Sequence, residues 1–311
     1  MPLTFPSVNR RKFLAGTFAA GLFAAVSPKN IFAGDSKTES QSDHWVFLSD
    51  THVPGNPETA APSEKDSKGI LYNPNEHFAA ARTEVLALAD KPKGVIVTGD
   101  VAYLQGKPED YQRLALQVVP YTEAGIPVHV AFGNHDNLDN YYAAFTDSKK
   151  EESPVLDKHV LILESPNCNL FILDALYDND FGAGFLGTAQ LRWLKKELNA
   201  RKDKPAILFA HHNLDHSSWA LQDSEQFWSI IKPQKQVKAY VYGHTHLYQQ
   251  SVRDDIHLIN LPALGWEFQK GVQPLGWSDA LLSENGIQLT LHTVDKSHPK
   301  NDDVREFTWL R

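Results

Sequence analysis

Gly94-Val95-Ile96-Val97-Thr98-Gly99-Asp100 sets the frame for the whole chain. Three consecutive branched apolar residues fit a strand covered on both faces, as in a parallel sheet. The run stops at a glycine and a carboxylate, whose two oxygens can reach two cations at once. The same ending recurs along the chain. His44 to Ser49 runs into Asp50-Thr51-His52, and Ile126 to Phe132 into Gly133-Asn134-His135-Asp136. Pro205 to Ala210 runs into His211-His212-Asn213, and Val237 to Tyr242 into Gly243-His244-Thr245-His246. Packing alone does not account for five apolar runs that each deliver imidazoles, carboxylates or an amide. A shared metal site does.

Helical stretches separate these strands. Glu76 to Asp90 is rich in Ala and Leu, which favours a helix. Pro108 opens a helix that runs to about Val119, with proline in the first turn. From Thr188, an apolar stripe through Leu191, Leu194 and Leu198 recurs at helical spacing. Residues 217–231 read as a short helical region whose Trp219 and Trp228 are expected in the core. Further strands are expected at 159–163 and 169–173, as a hairpin, and at 256–261, 287–294 and 304–310. Strands alternating with helices imply an α/β protein. In such sheets the carboxyl ends of the strands gather at one edge, where ligands bind.

The chain has 311 residues, 42% of them hydrophobic and 22% charged, an ordinary globular balance. Cys168 is the only cysteine, so an internal disulfide and a thiolate metal cluster are excluded. It is expected to be a small buried residue among apolar neighbours. Residues 1–33 hold four cations and no acid, and their removal takes the formal charge from −8 to −12. An acidic chain without a Lys/Arg run is a poor partner for a nucleic-acid polymer or an anionic membrane.

Arg10-Arg11-Lys12-Phe13-Leu14 precedes an Ala/Gly/Phe-rich run to Val26, too short and small-sided to span a bilayer. Ile31-Phe32-Ala33 offers a cleavage site. This segment resembles a twin-arginine export signal. The resemblance implies a protein exported already folded, periplasmic or extracellular, with no stable membrane insertion after cleavage. Residues 34–43 then form a polar linker, and 44–311 one catalytic domain. The Pro/Gly-rich stretch 53–75 is a candidate lid over the substrate.

The ordered set Asp50-x-His52, Gly99-Asp100, Gly133-Asn134-His135-Asp136, His211 and Gly243-His244-x-His246 resembles the calcineurin-like metallophosphoesterases over about residues 44–250. The resemblance implies a four-layer α-β-β-α sandwich of two mixed sheets and a binuclear metal centre. One ion would take Asp50, His52, Asp100 and His246; the other would take Asp100, Asn134, His211 and His244. His212 competes with His211, because many relatives have a proline soon after this position. Nitrogen and oxygen donors without sulfur suit iron, manganese or zinc. Two divalent ions, two carboxylates and a bridging hydroxide sum to +1, a fit for a small phosphate ester, mono- or diester. Ions about 3.5–4 Å apart lower the pKa of a bridging water, and the hydroxide attacks phosphorus directly.

His135 is expected to donate a proton to the leaving alkoxide or to hydrogen-bond a phosphoryl oxygen, a role the resemblance also implies. Asp136 either orients His135 or ties down its loop. Trp266 and Tyr103 are weaker substrate-facing candidates. Two rivals remain. Another class of metallohydrolase would show His-Glu-x-x-His or His-x-His-x-Asp-His, and the chain has neither. A non-catalytic metal-binding homologue has no reason to keep all seven donors together with His135.

Overall fold

The computed structural model describes residues 43–56, 73–146, 153–179, 181–268 and 271–311. The expected export signal at 1–33, the expected linker up to residue 42 and most of the expected lid (57–72) lie outside them. Twelve described strands form two six-stranded sheets. The first holds β1 (Asp43–Leu48), β2 (Val95–Val97), β3 (Val128–Val130), β10 (Gly276–Ser283), β11 (Gly286–Thr293) and β12 (Asp303–Thr308). Its order is β12-β11-β10-β1-β2-β3, parallel from β1 to β3 and antiparallel elsewhere. The second holds β4 (Leu161–Glu164), β5 (Asn169–Ile172), β6 (Ala206–Phe209), β7 (Val237–Tyr242), β8 (Gln249–Arg253) and β9 (Ile256–Asn260). Its order is β4-β5-β6-β7-β9-β8, with antiparallel pairs at both edges and parallel strands between.

Strand alternation sorts the apolar residues into three cores, and the cores define four layers. Trp45 and Phe47 of β1 and Ile96 of β2 face inward, against Ile207 and Phe209 of β6 and Val241 of β7. Phe47 meets Phe209 edge to face at 5.0 Å. Val46, Leu48, Val95, Val97, Val128 and Val130 point the other way. They pack on helices α1 (Pro74–Ala87), α2 (Pro108–Glu123) and α3 (Leu138–Ala144), through residues such as Phe78, Leu114 and Tyr141. On the far side, Phe171, Leu208 and Tyr240 meet helices α4 (Thr188–Ala200) and α5 (Ser224–Ile231) through Leu194, Leu198, Phe227 and Trp228. The fold is therefore the expected α-β-β-α sandwich. No described helix is long and apolar enough to cross a membrane.

Three elements differ from the sequence reading. Strand β10 carries Gly276, Ser278 and Asp279, residues depleted in strands, yet it pairs with both β1 and β11. Strand β8 is a largely exposed edge with no apolar alternation, and α3 has only seven residues. Cys168 is buried as expected, and burial pushes its thiol up to about 12. His129 is buried inside β3. Trp219 is the clear departure. Helix α5 begins only at Ser224, so Trp219 sits in the preceding loop and is 63% exposed rather than in the core.

Candidate metal centre

The parallel strands of both sheets end at one edge, and their carboxyl-terminal loops converge there. Asp50 and His52 follow β1, Asp100 follows β2, Asn134 and His135 follow β3, His211 follows β6, and His244 and His246 follow β7. Two groups of donors result. Asp50, His52 and His246 form one, and Asp100, His211 and His244 the other, each with its donor atoms within 4.8 Å of one another. Asp100 Oδ2 joins them, 3.0 Å from His211 Nε2 and 3.9 Å from His52 Nε2. Asn134 lines the same cleft, and its buried Oδ1 has no partner among the described residues.

The backbone is bent to bring these groups together. Asp50, His52, Asp100, His244 and His246 all adopt left-handed φ values, between 44° and 68°. Such conformations are uncommon for residues with a Cβ and are held only where the surroundings enforce them. Gly133 allows the closest approach. A methyl group there would overlap Asp100 Oδ1 and the His211 ring.

Outer hydrogen bonds fix which nitrogen three of the imidazoles turn inward. His211 Nδ1 donates to the Thr98 carbonyl (2.9 Å), His244 Nε2 to the Trp219 carbonyl (2.8 Å) and His246 Nδ1 to the Trp266 carbonyl (2.6 Å). In neutral rings the inward nitrogens then carry lone pairs. His211 Nε2 faces His244 Nδ1 at 3.2 Å, and His52 Nε2 faces His246 Nε2 at 3.2 Å. Across the His211–His244 contact two lone pairs at that distance repel unless a proton or a metal ion lies between them, whereas His52, whose Nδ1 has no partner among the described residues, can still donate to His246.

Protons are too few to settle this. Burial lowers His244, with His211 reinforcing it, to about 4. Burial also pushes His52 well below the usual value. Burial opposes protonation of His211 as well, but the adjoining Asp100 carboxylate raises it to about 9. Both carboxyls are raised by burial, yet the histidines around them outweigh it and hold Asp50 and Asp100 below the usual range. Two buried carboxylates therefore stand among rings of which His52 and His244 resist protonation. Such a donor set calls for cations, and the residues present fit a pair of metal ions.

Of the adjacent histidines, His211 joins the centre. His212 turns outward, its Nε2 donating to the Gly182 carbonyl (3.0 Å). Strand alternation carries this signal, because Ile207, Phe209 and His211 share the inner face of β6. Asp136 does not touch His135. Its carboxylate accepts from the Val101, Ala102 and Gly133 amides at 2.9–3.2 Å, which leaves it clamping two loops together. Burial, aided by Asp100, raises it to about 7 against those amides. His135 Nδ1 instead bonds the Leu104 carbonyl at 2.7 Å, leaving Nε2 4.0 Å from Asp100 Oδ2 at the cleft. Asp136→Ala is accordingly expected to lower stability by at least about 3 kcal/mol, because it strands three buried amides. Denaturant unfolding of the metal-free protein measures this.

Trp266 is buried and stacks on His52, with centroids 3.8 Å apart and planes inclined at 26°. It braces the centre from behind. Tyr103 meets its edge at 5.9 Å. The cleft above has a volume of about 460 Å³, and no Lys or Arg lines it among the described residues.

A sandwich with two abutting imidazole–carboxylate clusters at its strand ends, under an open cleft, has the architecture of a metal-dependent hydrolase. Sequence comparison narrows the class: residues 45–248 match the calcineurin-like phosphoesterase family, and the chain belongs to it. It is a metal-dependent phosphoesterase. It is 30% identical over 259 residues to a probable glycerophosphodiester phosphodiesterase of Arcobacter nitrofigilis, covering 81% of this chain and 89% of that one. It is 26% identical over 208 residues to a 3',5'-cyclic-nucleotide phosphodiesterase of Nostoc sp., covering 62% and 71%. Among solved structures, a dimetal phosphatase from Danio rerio shares the fold, with a TM-score of 0.64 at 13% identity, covering 86% of this chain and 98% of that one.

Proposed function

We propose that the protein is an exported binuclear phosphoesterase that hydrolyses small phosphate esters, diesters in preference to monoesters. The observation that carries this is the pair of opposed imidazole contacts at 3.2 Å, with the outer nitrogens of His211, His244 and His246 tied to carbonyls, around two buried carboxylates. Asp50, His52, Asp100 and His246 hold one ion, and Asp100, Asn134, His211 and His244 the other. The donors suit iron, manganese or zinc. Bound there, the ions supply a hydroxide nucleophile at neutral pH and balance charge during in-line displacement at phosphorus.

The chain's own groups do the rest. His135, anchored through Nδ1, presents Nε2 to the cleft and gives a proton to the leaving oxygen. Trp266 keeps the His52 ring in place. The diester preference rests on charge. A monoester brings a second negative charge to a cleft lined by Asp215 and, among the described residues, by no Lys or Arg, whereas a diester brings one. The two relatives described above bear diesterase names, which supports the same reading.

Turnover of bis(p-nitrophenyl) phosphate against p-nitrophenyl phosphate, with manganese added, tests it. The bis ester is expected to show the higher kcat/KM. Hydrolysis of neither by metal-loaded protein would reject the enzyme and leave a metal-binding homologue. Export is supported by Arg10 and Arg11 ahead of the short apolar run. Changing Arg10→Lys and Arg11→Lys together is expected to hold the full-length chain inside the cell. Immunoblots of cell fractions read this, and unchanged export would remove the twin-arginine reading.

A further inference from the structure

The mouth of the cleft carries two large aromatic side chains in unusual settings. Trp219 is 63% exposed and Phe268 64%, although each lies against the metal centre. Both rings have one face backed. The Trp219 ring lies on Gly182, whose backbone has φ +69°, so closely that a methyl group on Gly182 would overlap the six-membered ring. The carbonyl of the same residue accepts from His244. Phe268 stacks on His246, with centroids 4.3 Å apart and planes inclined at 25°. Each plate is therefore registered to one of the two donor groups, and its other face is open. Exposing large aromatic surface on two separate loops costs solvation that packing would recover. A ligand that covers the open faces recovers it.

We infer that Trp219 and Phe268 are specificity-determining residues that stack a flat aromatic ring carried by the alcohol of the ester, a nucleobase or an aryl group. The inference rests on the phosphoesterase reading above and names the substrate class. A neutral ring suits a cleft with no Lys or Arg among its described lining residues, whereas an alcohol bearing further phosphates does not. Flat rings also gain from offset stacking on indole and phenyl faces in a way that a glycerol chain cannot. Trp266, the other tryptophan of the site, is unavailable, since its face is taken by His52.

The test compares kcat/KM for two aromatic diesters, 3',5'-cyclic AMP and bis(p-nitrophenyl) phosphate, with that for an aliphatic one, glycerophosphoglycerol. In Trp219→Ala and Phe268→Ala the aromatic-to-aliphatic ratio is expected to fall roughly 5- to 100-fold, the range for loss of a base–aromatic stack. The fall should appear mainly in KM. Loss on cyclic AMP alone assigns the plates to a nucleobase, and loss on both aromatic esters assigns them to any flat ring. A second measurement does not depend on turnover. Adenosine is expected to quench tryptophan fluorescence of the metal-free protein, and Trp219→Ala to abolish that quenching. If the wild-type protein hydrolyses none of the three esters, the phosphoesterase reading fails and the quenching still decides whether the plates bind rings. An unchanged ratio in both variants overturns the inference. So does an equal loss on all three esters, which would make the aromatics mere braces for His244 and His246. A loss confined to glycerophosphocholine, added as a fourth ester, also overturns it, in favour of an ammonium group held on the ring faces.

Discussion

Asp100→Asn is expected to abolish turnover and to strip bound metal while leaving the fold in place. Asp100 is buried, and its Oδ2 is the atom that both donor groups share, 3.0 Å from His211 Nε2 and 3.9 Å from His52 Nε2. Its Oδ1 accepts from the His135 amide at 2.9 Å. Asparagine has nearly the same shape and can keep that amide bond, so the backbone has little cause to move. It cannot keep the charge, and only one of its side-chain atoms is an acceptor. A second ion then has no anionic anchor of its own, because Asp50 lies with the other group. The rate should fall by far more than the roughly 10- to 100-fold that loss of an outer hydrogen-bond partner costs a metal site. Elemental analysis of manganese-loaded protein should show a drop towards one ion per chain, and the circular dichroism of the metal-free variant should match that of the parent. Two ions per chain with an undiminished rate would remove Asp100 from its shared position.

Much of this site was readable before any coordinates, because it is built at strand ends. A strand buried on both faces leaves a plain apolar run, and whatever interrupts that run at its carboxyl end is exposed to the shared edge. Val95-Ile96-Val97 before Asp100 and Ile207-Leu208-Phe209 before His211 are of this kind. Features that depend on partners distant in sequence were less legible. β10 is a central strand because β1 and β11 lie on either side of it, not because Gly276-Trp277-Ser278-Asp279 favours extension. The polar edge β8 is defined by its ladder to β9, and α3 is too short to nucleate alone. The role of Asp136 turned on which amides it would meet, and these come from two loops more than thirty residues apart in sequence. Trp219 misled for a related reason. Reading 217–231 as one helical region put both tryptophans in the core, but the helix starts between them, nine residues would in any case set them on opposite faces of a helix, and the ring found Gly182 instead of the core.

His135→Ala separates binding of the ions from the chemistry of departure, and its expected signature is a dependence on the leaving group. His135 is the one imidazole at the cleft that is not part of either donor group. Its side chain keeps 20% of its surface open, where His52 and His211 are essentially closed. The Leu104 carbonyl holds Nδ1, so the ring cannot turn that nitrogen to a substrate, and Nε2 is the atom on offer. Alanine removes this without disturbing the carboxylate below, because the bond from residue 135 to Asp100 Oδ1 is made by the backbone amide. Two ions should therefore still bind. A p-nitrophenolate leaves with its charge spread over the ring and needs no proton, so bis(p-nitrophenyl) phosphate should lose little. An alkoxide does need one, and a diester of two aliphatic alcohols should slow by about 10²- to 10⁴-fold, the usual reach of a positioned general acid. A plot of log kcat against leaving-group pKa should steepen in the variant. A uniform loss across all leaving groups would make His135 a ligand of the phosphoryl oxygens instead, and loss of metal would return it to the cage.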